Sequence, residues 1–113
     1  MTTIYHNPRC SKSRQCLAIL EEKNEDLEII KYLDTPITKE KLTEIIKLLD
    51  IKPIDLVRKN EAIWKEKFKG KDITDKQLIQ AMCDYPKLIE RPIVIKNNKA
   101  MIGRPPEKVI DIL

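Results

Sequence analysis

Two apolar runs near the C-terminus, residues 93–95 and 100–102, enclose the dipeptide Asn97-Asn98. Asparagine tolerates the positive φ angles that a tight hairpin turn requires at its two central positions. The pattern therefore predicts two adjacent antiparallel strands joined by a short turn. Any fold of this chain has to place such a hairpin close to its C-terminal end.

The N-terminal third shows a different order of elements. Residues 3–5 are rich in β-prone side chains, and residues 27–32 form a second stretch of this kind. Between them, Leu17 and Leu20 recur at helical spacing in a segment that extends to Glu22. This part of the chain is therefore predicted to be a βαβ unit.

The middle of the chain is predicted to be mainly helical and polar. An apolar stripe with i, i+3, i+4 and i+7 spacing lies between Thr38 and Pro53 and consists of Leu42, Ile45, Ile46 and Leu49. Farther along, Thr74 and Gln77 match the capping-box pattern at the start of a helix. This second helix is expected to end before Pro86.

A last helix is predicted after the hairpin, opened by Pro105, with its apolar side chains inward: Val109, Ile110 and Leu113. The complete order, βαβ, helices and then ββα, resembles that of thioredoxin-like proteins. We therefore predict the α/β class, with a thioredoxin-like (glutaredoxin-like) four-stranded mixed sheet and a helical insertion. We expect one domain over residues 1–113, with the βαβ unit at about 1–33, the helical insert at about 34–88 and the ββα unit at about 89–113.

Composition narrows the possible functions. The 113 residues are 42% hydrophobic and 35% charged, with a net charge of +4 and aromatic residues at only 4%. Few aromatic residues and a modest positive charge give little support for nucleic-acid binding. No apolar run approaches the roughly 20 residues that cross a bilayer, and Met1 is not followed by a signal peptide. We therefore expect a cytoplasmic protein without a membrane or nucleic-acid partner.

The cysteine count argues against a disulfide framework or a metal site. Cys10, Cys16 and Cys83 make an odd number, and His6 is the one histidine. Helix geometry would separate Cys10 and Cys16 by about 9 Å along the axis, which is too far for a disulfide. Ser13 stands where dithiol oxidoreductases have their second cysteine. We expect Cys83 to pack in the core and no metal to bind.

Cys10 has the surroundings of a reactive thiol. It stands at the start of the first predicted helix, where free backbone N–H groups and the helix dipole favour a thiolate. Arg9, Lys12 and Arg14 add positive charge, and His6 could add more or donate a hydrogen bond to the sulfur. The alternative, a small buried hydrophobic residue, would need apolar neighbours that the adjacent sequence does not supply.

Four stretches resemble the glutaredoxin-linked arsenate reductase family: TTIYHNPRCSKSR at the N-terminus, LVRKN at 56–60, IERPIVI at 89–95 and GRPPEKVIDIL at 103–113. The resemblance implies that a Cys10 thiolate attacks the arsenic of arsenate or a similar oxyanion. It assigns the oxyanion to three arginines, Arg58, Arg91 and Arg104, with Ser13 near the nucleophile and His6 favouring the thiolate.

The resemblance also has implications for the reductant. In that family glutathione and glutaredoxin resolve the arsenic adduct, so we expect glutathione as the reductant, no bound cofactor and a monomer. Pro92 occupies the place where thioredoxin-like proteins have a cis proline beside the cysteine, which would direct Arg91 into the site. Two alternatives are a thiol oxidoreductase of this family with another substrate, and a non-catalytic, redox-sensing regulator that binds RNA polymerase. That regulator typically carries a C-x-x-C pair, whereas Ser13 interrupts the pair here.

Overall fold

The computed structural model describes residues 1–23 and 25–113. The chain forms two compact units. Met1–Thr35 and Arg91–Leu113 make up the first, which we call the sheet unit, and Pro36–Glu90 makes up the second, the helical unit. In the part of the chain that is described, no helix has the length and apolar character needed to cross a membrane.

The sheet unit contains four strands: β1 (Thr2–Tyr5), β2 (Leu27–Ile30), β3 (Ile93–Lys96) and β4 (Lys99–Ile102). Their order in the sheet is β2-β1-β3-β4. Strand β1 pairs in parallel with β2 and antiparallel with β3, and β3 pairs antiparallel with β4. The predicted four-stranded mixed sheet is therefore confirmed.

The hairpin between β3 and β4 also has the predicted turn. Asn97 has φ 51° and Asn98 has φ 62°, so both central residues lie in the left-handed region. This combination defines a type I′ turn, whose twist matches that of the flanking strands. The Asn-Asn dipeptide thus sets the register in which Val94 faces Met101.

Helix α1 (Ser11–Glu22) and a 3-10 helix at Pro106–Ile112 pack against each other. The core cluster of the sheet unit is fully buried and includes Ile4, Cys16, Leu20, Val94 and Val109. The prediction that Ile110 faces inward is wrong, because its side chain is 43% exposed. A 3-10 helix has three residues per turn, so Val109 and Ile112 share the inner face while Ile110 turns outward.

The helical unit contains α2 (Lys39–Leu49), α3 (Ala62–Lys67) and α4 (Asp75–Asp84), with short 3-10 turns at Pro53–Leu56 and Pro86–Leu88. Thr38 caps α2 by accepting a hydrogen bond from the backbone N–H of Lys41 at 3.1 Å. The predicted capping box of α4 is formed, since Thr74 and Gln77 each accept the other's backbone N–H. Both helices therefore begin where their sequence signals predict.

Candidate active site

Cys10 is the N-cap residue of α1 and has an extended backbone, with φ −94° and ψ 123°. Its backbone N–H donates to the carbonyl of Asn7 at 3.0 Å, and its own carbonyl accepts from Arg14 at 3.0 Å. The side chain is half-buried. The sulfur therefore lies at the positive end of a helix of 12 residues.

The surroundings of Cys10 favour its thiolate form. Burial acts to raise the pKa of the Cys10 thiol, but hydrogen bonds from the backbone N–H groups of Ser13 and Lys12 and from the Arg91 guanidinium lower it. The positive charge of Arg91 lowers it further, and the net pKa lies below the ordinary cysteine value. A thiolate, rather than a thiol, is the nucleophilic form of cysteine.

Arg104 is positioned beside the same sulfur by a backbone contact. Its Nε donates a hydrogen bond to the carbonyl oxygen of Arg91 at 2.8 Å. With Nε fixed in this way, Nη2 lies 3.6 Å from Cys10 Sγ. The two predicted oxyanion arginines of the sheet unit, Arg91 and Arg104, are therefore brought together at Cys10.

His6 contacts the first turn of α1 through Ser13. Its Nδ1 lies within hydrogen-bond distance of Ser13 Oγ, at 2.6 Å. The backbone N–H of Asn7 donates to the same Oγ at 3.1 Å. Burial, and then the positive charges of Lys31 and Arg14, lower the pKa of His6, which favours the neutral imidazole near pH 7. The contact of His6 with Ser13 holds the turn whose Ser13 N–H donates to the Cys10 sulfur.

The surroundings of the other two cysteines raise the pKa of the thiol instead of lowering it. Cys16 is fully buried, and burial raises the pKa of its thiol to about 12. Cys83, in the helical unit, is half-buried rather than in the core, and burial followed by the charge of Asp84 raises its pKa. Within residues 1–23 and 25–113, no group of three or more His, Cys, Asp and Glu side chains could hold a metal ion.

These pKa directions predict the order in which the thiols react. At mildly acidic pH, iodoacetamide should label Cys10 first, because the thiolate fraction of Cys10 exceeds that of Cys16 and Cys83. Mass spectrometry of peptides after short labelling times measures the order. Labelling led by Cys83 would contradict the assignment of Cys10 as the nucleophile.

The peptide bond between Arg91 and Pro92 is cis, as predicted, and the bond between Arg104 and Pro105 is also cis. Gly103 joins these two segments, because its backbone N–H donates to the carbonyl of Pro92 at 2.9 Å. A Cβ at Gly103 would lie 2.9 Å from Pro92 Cγ and 3.1 Å from Cys16 Sγ. Sequence reasoning missed this glycine, since its importance depends on neighbours that are distant in the chain.

Arg58, the third predicted oxyanion residue, belongs to the helical unit. Its Nη1 donates to Glu90 Oε1 at 2.8 Å, and its Nε lies 3.8 Å from Glu61 Oε1. Its backbone N–H donates to the carbonyl of Leu88 at 2.7 Å. Within this unit Arg58 is therefore held by two carboxylates, and its role as an oxyanion ligand stays a prediction.

Comparison with known proteins places this constellation of residues in a family. The model of the ArsC family matches residues 5–112, which is nearly the whole chain. The chain belongs to the ArsC family. The match includes all three segments that surround the sulfur, from Cys10 through Arg91 to Arg104.

Relatives within the ArsC family agree in sequence and in fold. The chain is 46% identical to the uncharacterized protein YfgD of Escherichia coli, over 97% of this chain and 94% of that protein. It is 42% identical to an arsenate reductase of Haemophilus influenzae, over 97% of each chain. The solved structure of an arsenate reductase from Vibrio cholerae superposes with a TM-score of 0.95 at 44% identity, covering 99% of this chain and 97% of that one. The thioredoxin-like fold of ArsC proteins is therefore confirmed for this chain.

Proposed function

We propose that the protein is an arsenate reductase that uses Cys10 as its nucleophile and glutathione with glutaredoxin as its reducing system. The observation that carries the proposal is the position of Arg104, whose guanidinium is fixed on the Arg91 carbonyl and reaches the Cys10 sulfur. Relatives that carry the name arsenate reductase at about 40% identity support the same reaction.

The two arginines at Cys10 can offset the repulsion between the thiolate and a negatively charged substrate. Arsenate is a tetrahedral oxyanion with one or two negative charges near neutral pH, and it would be repelled by a thiolate. Arg91 and Arg104 both lie at Cys10, so their positive charges can neutralise the two anions together. Their planar forks also match the oxygen pairs of a tetrahedral anion, and backbone N–H groups at the start of α1 can donate further hydrogen bonds.

The proposed reaction transfers two electrons to arsenic. The Cys10 thiolate attacks arsenic(V), and an S–As bond forms as a protonated oxygen leaves as water. A glutathione thiolate then attacks the Cys10 sulfur, the S–As bond breaks, and its electron pair stays on arsenic, which leaves as arsenite, arsenic(III). The two sulfurs are thereby oxidised to a mixed disulfide, which the glutaredoxin thiol exchanges to restore the Cys10 thiolate. No bound cofactor is needed.

The remaining predicted residues have supporting roles in this proposal. His6 and Ser13 hold the first turn of α1, so that its N–H groups stay directed at the sulfur of Cys10. Pro92 orients the segment that carries Arg91, and Arg58 is proposed as a further oxyanion ligand because the LVRKN stretch resembles that of arsenate reductases. We propose that the protein works as a monomer in the cytoplasm, a compartment that keeps the Cys10 thiol reduced.

A steady-state assay of arsenate reduction tests the proposal directly. With glutathione and glutaredoxin present, the protein should form arsenite, and Cys10→Ser should abolish this activity because an alcohol is a far weaker nucleophile at this pH. Cys83→Ser is the matched control and should retain activity. A parallel assay with thioredoxin in place of the glutathione system tests the reductant. Absence of arsenite with either reductant, while Cys10 still alkylates rapidly, would contradict the proposed substrate.

A further inference from the structure

The segment around Cys10 carries an uncompensated positive charge. Among the first twenty residues, Arg9, Lys12 and Arg14 are cationic and none is Asp or Glu. All three side chains are exposed. Within the described part of the chain, none of the three forms an ion pair with a carboxylate. We call these three residues the basic rim.

Local hydrogen bonds fix the backbone that carries the basic rim. The backbone N–H of Arg9 donates to Asn7 Oδ1 at 3.1 Å, and Arg14 Nη1 donates to the carbonyl of Pro8 at 3.0 Å. Lys12 belongs to the first turn of α1, and its backbone N–H donates to the Cys10 sulfur. The residues of the rim are therefore carried by the same loop and helix turn as the nucleophile.

The charge of the rim also extends into the site. Arg14 is one of the cations that lower the pKa of the buried His6, after burial itself and Lys31. In the proposed function, by contrast, the negative charge of arsenate is neutralised by Arg91 and Arg104, which lie at the sulfur itself. The rim cations are therefore a separate set from the two arginines that contact the sulfur.

We propose that the basic rim selects the reducing thiol by its charge, and that it recruits a small thiol bearing carboxylates in preference to a neutral one. This inference rests on the proposed function, because it concerns the second thiol, which must reach the Cys10 sulfur after arsenate has reacted. A thiol with two carboxylates is attracted by each rim cation, whereas a neutral thiol is not. Exposed clusters of one charge sign raise encounter rates with oppositely charged ligands, and salt weakens the effect.

Thiol–disulfide exchange at Cys10 tests the proposal without arsenate. The Cys10 thiolate attacks one sulfur of an aromatic disulfide, forming a mixed disulfide and releasing an aryl thiolate whose absorbance reports the rate. Two reagents are compared in a Cys83→Ser background: dithiobis(nitrobenzoate), which carries two carboxylates, and dithiodipyridine, which is uncharged. The ratio of the two rate constants cancels any change in the thiolate fraction of Cys10.

The variant Arg9→Gln/Lys12→Gln should lower this ratio by about threefold to tenfold at low ionic strength, as two charges at about 10 Å in water predict. Lys23→Gln is the matched control, because Lys23 is equally exposed but lies at the far end of α1. The control should leave the ratio unchanged. High salt should reduce the ratio of the unmodified protein toward that of the variant.

The rim variant Arg9→Gln/Lys12→Gln and the control Lys23→Gln are then compared in a second reaction, the reduction of a Cys10 mixed disulfide by glutathione and by mercaptoethanol. The rim variant should slow the reaction with glutathione by a similar factor and leave the reaction with mercaptoethanol unchanged. A ratio that is equal in the rim variant, the control and the unmodified protein would overturn the proposal. If the unmodified protein does not reduce arsenate but its ratio of rate constants still falls in the rim variant, the proposed substrate is contradicted and the rim proposal stands.

Discussion

Replacing Arg104 by lysine should weaken arsenate binding by about tenfold or more, although the positive charge is retained. The reason is the double contact of the guanidinium, whose Nε donates to the Arg91 carbonyl while Nη2 reaches Cys10 Sγ. The single nitrogen of a lysine side chain cannot make both contacts, so either the hydrogen bond to the Arg91 carbonyl or the contact with Cys10 Sγ is lost. Isothermal titration with arsenate, and competition by sulfate or phosphate, measure the loss.

The control for this variant is Lys69→Ala, which removes an exposed positive charge in the helical unit. Exposed charges are screened over a Debye length of about 8 Å at physiological salt, so arsenate affinity should change little. Equal affinity of Arg104→Lys and the unmodified protein, with a marked loss in Lys69→Ala, would place the oxyanion site elsewhere and contradict the proposed function.

Gly103→Ala should lower the free energy of unfolding by about 1–3 kcal/mol, because a methyl group has no room at this position. Its Cβ would lie 2.9 Å from Pro92 Cγ, 3.1 Å from Cys16 Sγ and 3.4 Å from Val109 Cγ1. Pro92 is a rigid ring and the other two belong to the buried core, so the backbone has to shift. Urea unfolding followed by circular dichroism measures the change.

The two glycines of the chain form a natural comparison. Gly70 has φ +77° and no atom within 4 Å of an added Cβ, so Gly70→Ala introduces backbone strain of about 1–2 kcal/mol but no clash. Both variants should therefore be less stable than the unmodified protein, but only Gly103→Ala should slow alkylation of Cys10, since Arg104 follows Gly103 directly. An unchanged free energy of unfolding for Gly103→Ala would contradict this prediction, because it would mean that Gly103 can move away from Pro92 and Cys16 without loss of stability.

The features that sequence could predict are those determined by neighbouring residues. The turn at Asn97-Asn98 depends on two adjacent residues that accept positive φ, and the start of α4 depends on Thr74 and Gln77, three positions apart. The lowered pKa of Cys10 follows in part from the N–H groups of its own helix turn. Each of these is a local effect, and local effects are visible in a short window of sequence.

The features that sequence could not predict depend on contacts between distant residues or on small differences in helix type. The hydrogen bond from Arg104 to the Arg91 carbonyl joins residues 13 positions apart across a hairpin. The lowered pKa of His6 depends on burial and on Lys31, which comes from a later segment. The outward position of Ile110 follows from a 3-10 rather than an α-helical period, which the apolar pattern alone does not distinguish.

The discontinuous sheet unit has a consequence for the order of events during synthesis on the ribosome. Strand β1 pairs with β3, whose first residue is Ile93, and Arg104 follows Cys10 by 94 positions. At translation rates of about 5–20 residues per second, this separation corresponds to about 5–20 seconds. Until the end of that interval the nascent Cys10 lacks at least one of the two guanidinium groups, and its thiol is closer to that of an ordinary cysteine. The full set of groups that lowers the pKa of Cys10 is therefore complete only when the segment that carries Arg91 and Arg104 has been made.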